Sequence, residues 1–293
     1  MALPFDRPRE AFEKAVNALE TPPDAVLAVD DAGLELAALL NQHFGLRGNT
    51  VGSVRKLRDK LEFRRLLAAS GLNCPAFRHV GGSADRPPSA LRLPLVVKPR
   101  RLNASRGVIR ADTLAGYRAA VERARRIQAR ADRDAARLGL IVEEFIPGDE
   151  YALEGVLTEG RLQVLALFDK PERLDGPYFE ETIYVTPSGL PAAVQAAIAE
   201  DVQHVCRLAG LTTGPVHAEI RVNGQGIWLI EVAARSIGGL CGRALRHALG
   251  MSLEEFILRH ALGHALPEVN HDAGAGVTMI PVPHRGIYCG VRG

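Results

Sequence analysis

One stretch of this chain leaves little freedom in how it can fold. Residues 216–222 (VHAEIRV) and 227–233 (IWLIEVA) are β-prone runs separated by Asn223-Gly224-Gln225-Gly226. Asn and Gly accept the positive φ that tight hairpin turns need, so the pair reads as an antiparallel ribbon. Each run carries one carboxylate, Glu219 and Glu231, each six residues from Gln225. An odd-numbered loop centred on Gln225 would set them directly opposite each other, with Cβ atoms roughly 4.5–5.5 Å apart, where like charges destabilise a sheet. Something positive should then sit between them. Hard oxygen donors suit Mg²⁺ or Mn²⁺, and Mg²⁺ is usually held by one or two carboxylates plus substrate phosphates. Strand alternation puts His217 and Arg221 on the face of Glu219. The same letters also describe a solvated ribbon in which Arg221 neutralises one glutamate, and a two-residue turn would break the opposition.

The 293 residues, 47% hydrophobic, provide for one large domain or two to three compact units. A net charge of +2 argues against a general nucleic-acid or membrane-surface binder, which needs basic residues in excess. The longest apolar runs, 93–97 and 162–168, are strand-sized and short of the ~20 residues of a membrane span. No apolar segment near the N-terminus marks a secretory signal. Cys74, Cys206, Cys241 and Cys289 are widely spaced, with no C-x-x-C pair. The expectation is a cytoplasmic protein with a small or phosphorylated ligand and neither a nucleic-acid nor a membrane partner.

Residues 24–30 (DAVLAVD) read as a buried strand and 32–44 as its following helix, closing at Gly45. Only a short helix around 9–19 precedes this βα unit, so the first domain is expected to be incomplete. A helix capped by Ser53 should run to Ser70. Strands follow at 76–80 and 95–98, a loop at 99–106, a strand at 107–111, a long helix at 113–138 and a strand at 140–145. A hairpin over 151–168 turns at Thr158, Glu159 and Gly160, and 191–209 is helical. Two helices, 240–249 and 253–262, come after the second hairpin. The expected units are 1–51, 52–143, 144–263 and a last segment, 264–293. Neither G-x-x-x-x-G-K-[ST] nor a strand-associated G-x-G-x-x-G occurs, so a nucleotide would need another architecture.

Lysine occurs only at 14, 56, 60, 98 and 170 against 31 arginines, which makes each surviving lysine informative. Lys98 ends the apolar run LVVK, before a loop with Asn103, Ser105 and Gly107, where a point charge and loop amides could hold a phosphate. By these letters alone it reads more simply as the cap of a strand end. Arg235, just past the second carboxylate strand, could steady a charge-rich transition state or lie on the surface. The run LIVEEFIPGDEY offers backbone groups to an adenine edge and Glu150 to ribose hydroxyls, or is an exposed acidic strand end. His260 and His264 lack a third ligand, and Arg123, Arg125, Arg126 and Arg130 read as the solvated face of a helix.

The order of these features resembles the ATP-grasp superfamily, and within it the L-amino acid ligase-like branch of carboxylate–amine ligases. The most specific stretches are VEEFIPGDEYALEGV, FDKPERLDGPYFEETIYVTPSG and VHAEIRVNGQGIWLIEVAARSIGGL. The resemblance implies an α/β protein of two α+β subdomains, an ATP-grasp fold with a truncated N-terminal βα domain. It also implies that 276–292 opens a shortened C-terminal domain. By the same resemblance Lys60 and Lys98 contact phosphates, and the loop 102–107, with Ser105 and Gly107, is the lid over them. Glu143, Glu144, Phe145 and Ile146 form the adenine hinge, and Glu150 binds ribose. Glu219 and Glu231 bridge Mg²⁺ or Mn²⁺, Arg235 lies near the γ-phosphate, and Lys170 with 178–184 faces substrate. At the second carboxylate many relatives have E-x-N, whereas position 233 is Ala here, and the lid contains Gly107 where many are glycine-rich. The implied reaction consumes ATP to join a small carboxylate to an amine, amino acids among them, and a homodimer is compatible with it. A biotin-carboxylase-like or purine-type ligase, and a nucleotide-binding module without turnover, are the alternatives.

Overall fold

The ribbon forms through a tighter turn than the odd loop expected from its letters. In the computed structural model, which describes residues 2–81, 86–131, 137–280, 286–287 and 289–290, strands β8 (Gly214–Asn223) and β9 (Gly226–Ala233) are joined by Gly224 and Gln225 alone. Asn223 faces Gly226 and Ile220 faces Leu229, a register that would pair Glu219 with Ile230. A bulge between Glu219 and Ile220 absorbs Ile230 as an extra residue of β9, and Glu219 then faces Glu231. The loop expectation is corrected while the opposition it was meant to give is present. One inserted residue moves the rest of a strand to the other face.

This ribbon ends a six-stranded antiparallel sheet in the order β10-β7-β6-β5-β8-β9. β5 (Asp149–Thr158) and β6 (Arg161–Lys170) form the first hairpin. Its two turn residues, Glu159 and Gly160, both have positive φ, which matches the right-handed twist of the strands. β7 (Ile183–Thr186) and β10 (Ala275–Thr278) complete the sheet, so part of the 264–293 segment is an edge strand here. The residues 281–285, 288 and 291–293 of that segment lie outside the described residues.

Both faces of the sheet are covered. Leu153, Leu157, Ala218, Ile220 and Val232 pack under the helix Ala192–Ala209 and against Val54, Leu57, Phe63 and Leu67. On the other face Ala152, Val156, Phe168 and Tyr184 meet Cys241, Leu245, Leu249 and Phe256. Those partners come from the short helices Cys241–Ala244 and Arg246–Leu249 and from Leu253–Ala261. The first two replace the single helix expected over 240–249.

A second, four-stranded antiparallel sheet has the order β1 (Phe77–Val80), β4 (Leu140–Glu144), β2 (Leu95–Pro99) and β3 (Ile109–Ala111). Helix α5 (Leu114–Ala131) covers one face through Tyr117, Ala120, Val121 and Ala124. Residues 132–136, at the end of that expected helix, are outside the described set. Val96, Lys98 and Glu143 alternate with this core and so point to the opposite face, towards the larger sheet.

Two expectations at the N-terminal side change. Residues 24–30 form no strand, and among the described residues no segment pairs with them. The Val26 carbonyl instead accepts from the Asn41 side chain at 3.1 Å on α2 (Leu34–Phe44), which does close at Gly45, φ +67. The helix expected from Ser53 to Ser70 is two helices, α3 (Val51–Arg58) and α4 (Lys60–Ala68), and the cap of α3 is Thr50. The break is at Asp59, whose carboxylate caps α4 at Leu61 N and pairs with Arg100. Lys60 therefore begins a helix, with its backbone N–H bonded to Arg100 O at 3.0 Å.

The turn from β4 into β5 depends on Gly148. Its φ is +128, and a Cβ there would lie 2.5 Å from Val222 O. Gly148→Ala is expected to cost about 1–3 kcal/mol, read as a lower urea midpoint at unchanged m-value. A wild-type midpoint would show that the turn tolerates a side chain.

Candidate active site

The two sheets face each other across a cavity of about 400 Å³. It is lined from the small sheet by Val96, Lys98 and Glu143, from the large sheet by Glu150, Glu219 and Glu231, and between them by Phe145 and Ile146. Lys60, Ser105 and Arg235 also reach it. Of the residues singled out in the sequence, Gly107, Glu144 and Lys170 do not line it. Gly107 shapes the loop from behind, at φ +77, with space for a Cβ blocked by Pro99. The Glu144 side chain accepts from Arg92 N at 2.9 Å, and its backbone N–H is bonded to Ala76 O.

Strand register explains the charge pattern on the large sheet. Glu150 lies opposite Lys170 on one side and Arg221 on the other, and both bond it, at 2.8 and 2.9 Å. One strand pair further in, Ala152 lies opposite Glu219, which faces Glu231. In the next row Glu154 lies opposite His217. Lys170 Nζ also bonds Glu181 at 2.7 Å and is 3.6 Å from Glu219. Glu150, Glu181 and Glu219 are the one three-ligand group among the described residues with metal-like spacing, and the Lys170 ammonium already stands among them. Burial would neutralise that lysine, but Glu219, Glu150 and Glu181 hold its pKa well above the usual value. Burial likewise disfavours ionised Glu219, but Lys170 and His217 carry it well below the usual carboxylate range. Glu181, buried beside that charge, is raised.

Glu231 is matched differently. Lys60 Nζ lies 3.0 Å from it and also donates to Leu102 O at 2.8 Å. The two opposed carboxylates thus each face a cation, and Arg221 serves Glu150 instead of either. Arg221 also donates to Ile146 O and Leu174 O, and its guanidinium lies 5.0 Å from the Phe145 ring and 5.7 Å from that of Phe179.

On the small sheet, Glu143 is 2% exposed and shared by two cations. Arg64 holds both its oxygens, at 2.7 and 3.1 Å, and Lys98 bonds one of them. Burial works against its ionisation, yet Arg64 and Lys98 bring its pKa down to about 2. Burial moves Lys98 below the ordinary lysine value despite the attraction of Glu143, because Arg64 repels it. Two buried cations on one carboxylate leave one positive charge in excess at this wall.

Arg64, Asp31 and His217 have no site role in the sequence reading, whereas Phe179 belongs to the 178–184 segment expected to face substrate and does line the cavity. Arg64 carried a legible signal, standing four residues after Lys60 and so on the same helix face. His217 was placed on the right face, but its buried partner Glu154, 3.4 Å away across the ladder, was not. Asp31 carries none.

Two α+β layers that clasp one charged cleft define the class of protein. Residues 91–244 match the ATP-grasp domain family, and the chain belongs to it. It is 29% identical over 235 residues to the D-alanine–D-alanine ligase of Polaromonas sp., covering 74% of this chain and 66% of that enzyme. The crystal structure of the L-amino acid ligase from Bacillus licheniformis superposes with a TM-score of 0.77 at 28% identity, over 97% of this chain and 69% of that one. The biotin carboxylase domain of Hydrogenobacter thermophilus 2-oxoglutarate carboxylase, solved with MgADP and bicarbonate, shares the fold. Its TM-score is 0.70 at 17% identity, over 91% of this chain and 60% of that one. The chain thus spans slightly under two thirds of the curated ligase it matches. No described helix is long and apolar enough to cross a membrane.

Proposed function

We propose that the protein is an ATP-dependent carboxylate–amine ligase acting on small substrates, amino acids among them, through an acyl phosphate. The observation that carries this reading is the convergence of Lys60, Lys98 and Arg235 with the opposed Glu219 and Glu231 in one cavity between the sheets. The relatives named as D-alanine–D-alanine ligase and L-amino acid ligase support the bond type.

The donor set fits a magnesium nucleotide. Glu219 and Glu231 present hard oxygens from directly opposed positions, and each is balanced by a side-chain cation that phosphate charge could replace. The surplus charge around Glu143 supplies Lys98 for a polyphosphate. Phe145 and Ile146 wall the same cavity for the base, with Glu150 for the ribose. Mg²⁺ held by Glu219 and Glu231 would neutralise charge on the phosphate oxygens.

In this reading a substrate carboxylate oxygen bonds to the γ-phosphorus of ATP and the bond to the β-phosphate oxygen breaks, releasing ADP. The amine nitrogen then attacks the acyl carbon, phosphate leaves and the amine proton is lost. Arg235 stabilises the charge on the transferring group, and Ser105 belongs to the loop above it. Lys170 acts from behind the wall, fixing Glu150 and Glu219, which makes it a positioning cation. The setting is cytoplasmic.

Incubating the protein with ATP, Mg²⁺ and pairs of amino acids is expected to release phosphate and ADP in equal amounts only when both an acid and an amine are present. Release that depends on bicarbonate would transfer the protein to the carboxylating ligases. Tight nucleotide binding with no release across a broad panel would reduce it to a nucleotide-binding module.

A further inference from the structure

Asp31 lies in the turn before α2, far in sequence from the matched family region, yet it is 7% exposed and bonds two residues of the cavity lining, Arg235 and Asn103, from behind. Its Oδ2 accepts from Arg235 Nε at 2.9 Å and from Asn103 Nδ2 at 3.1 Å. Arg235 Nη1 donates to Ser236 O at 3.0 Å. Two of the three guanidinium nitrogens are therefore committed, and Nη2 is left for a ligand in the cavity that Arg235 lines. Asn103 belongs to the loop that covers the same cavity, so one carboxylate orients the arginine and ties down the loop. Lys60 makes a parallel tie one residue away, from Leu102 O to Glu231. The neighbours of Asp31, Val29 and Asp30, line the cavity as well.

We propose that Asp31 is a positioning residue that aims the free edge of Arg235 at the terminal phosphate of the nucleotide and holds the 102–107 loop over it. The proposal rests on the reading that Mg-ATP occupies this cavity. A planar guanidinium gives directional bonds only when its plane is fixed, and Asp31 fixes it from the side away from the ligand. Without that carboxylate, Arg235 keeps the attraction of Glu231, which it already feels. It would turn towards a carboxylate needed elsewhere.

The consequence is specific to the third phosphate. Calorimetry with the magnesium complexes of ADP and of the non-hydrolysable analogue AMP-PNP separates it from general nucleotide binding. Asp31→Asn is close to isosteric and removes only the charge, while Asp31→Ala removes the contact. Both are expected to weaken AMP-PNP binding about tenfold, the scale of a hydrogen bond to a charged group, and to leave ADP affinity within about twofold. Arg235→Met should show the same selective loss, and Arg235→Met combined with Asp31→Ala should lose little more, because one arm acts through the other.

An unchanged AMP-PNP to ADP ratio in Asp31→Asn would overturn the proposal. So would an equal fall for both nucleotides, which is what a merely structural carboxylate would give. If the wild-type protein binds neither nucleotide, the functional reading fails and the proposal falls with it. Binding by wild type with a normal ratio in the variants defeats the role of Asp31 alone.

Discussion

Glu231→Gln is expected to reduce phosphate release by roughly 10²–10³-fold while leaving ADP bound within a few fold, the size of effect seen when one preorganised charge at a reacting centre is removed. The substitution keeps the shape of the side chain and one acceptor oxygen but deletes the charge that faces Glu219 and pairs with Lys60. Lys60 also keeps its bond to Leu102 O, so the loop remains attached and the adenine wall at Phe145 and Ile146 is untouched. Single-turnover phosphate release beside ADP calorimetry separates the two effects. Turnover within threefold of wild type would remove Glu231 from the chemistry. Glu219→Gln is the companion variant, and it should behave alike because the two carboxylates occupy one ladder position.

The second large effect is on stability. Glu143→Gln leaves Arg64 and Lys98 buried beside each other with no anion between them. Removing one partner of a buried ion pair typically costs about 3–5 kcal/mol, and here two cations lose their shared partner at once. Urea unfolding is expected to show that loss, and Glu143→Gln with Arg64→Met should recover part of it by deleting one stranded charge. Equal stability of Glu143→Gln and wild type would mean that water reaches this wall. The sign of the pH dependence follows from the depressed carboxyl. Its folded pKa is about 2 against an ordinary 4.5, so its contribution is complete above pH 4.5 and is lost as pH falls from there to 2. The shift corresponds to about 3 kcal/mol, and the acid limb of the unfolding curve should flatten by that amount in Glu143→Gln.

Much of the scaffold was legible because its signals are local. The Glu159-Gly160 turn and the Gly45 helix stop each follow from a few neighbouring letters. Other features depended on what the chain meets elsewhere. Residues 24–30 have the composition of a buried strand, but a ladder needs a partner that no other described segment offers. The break at Asp59 did have a local sign, since Asp59 with Glu62 three residues later is a capping pair. The steady apolar spacing of 54–67 concealed it. For the site, the ribbon showed which carboxylates stand opposite each other, while the cations that face them come from two other elements, Lys60 at the start of α4 and Lys170 at the end of β6. Lys170 illustrates the limit. Its rarity marked it as important, but only the cross-strand register shows it to be enclosed by Glu150, Glu181 and Glu219 behind the cavity wall.

The extra residue at Ile230 has an evolutionary corollary. The short turn and the kink act together: with Gly224 and Gln225 alone in the turn, an unkinked β9 that kept Ile230 would set Glu231 opposite Ala218 instead of Glu219. That shift would swing Glu231 into the oily layer beneath the helix Ala192–Ala209 and swap Val232 and Ala233 inside for outside, whereas deleting Ile230 alone would leave Glu231 opposite Glu219. Related chains should therefore either carry the kink or lack one residue between Leu229 and Glu231, keeping the two carboxylates opposed while the letters around them drift.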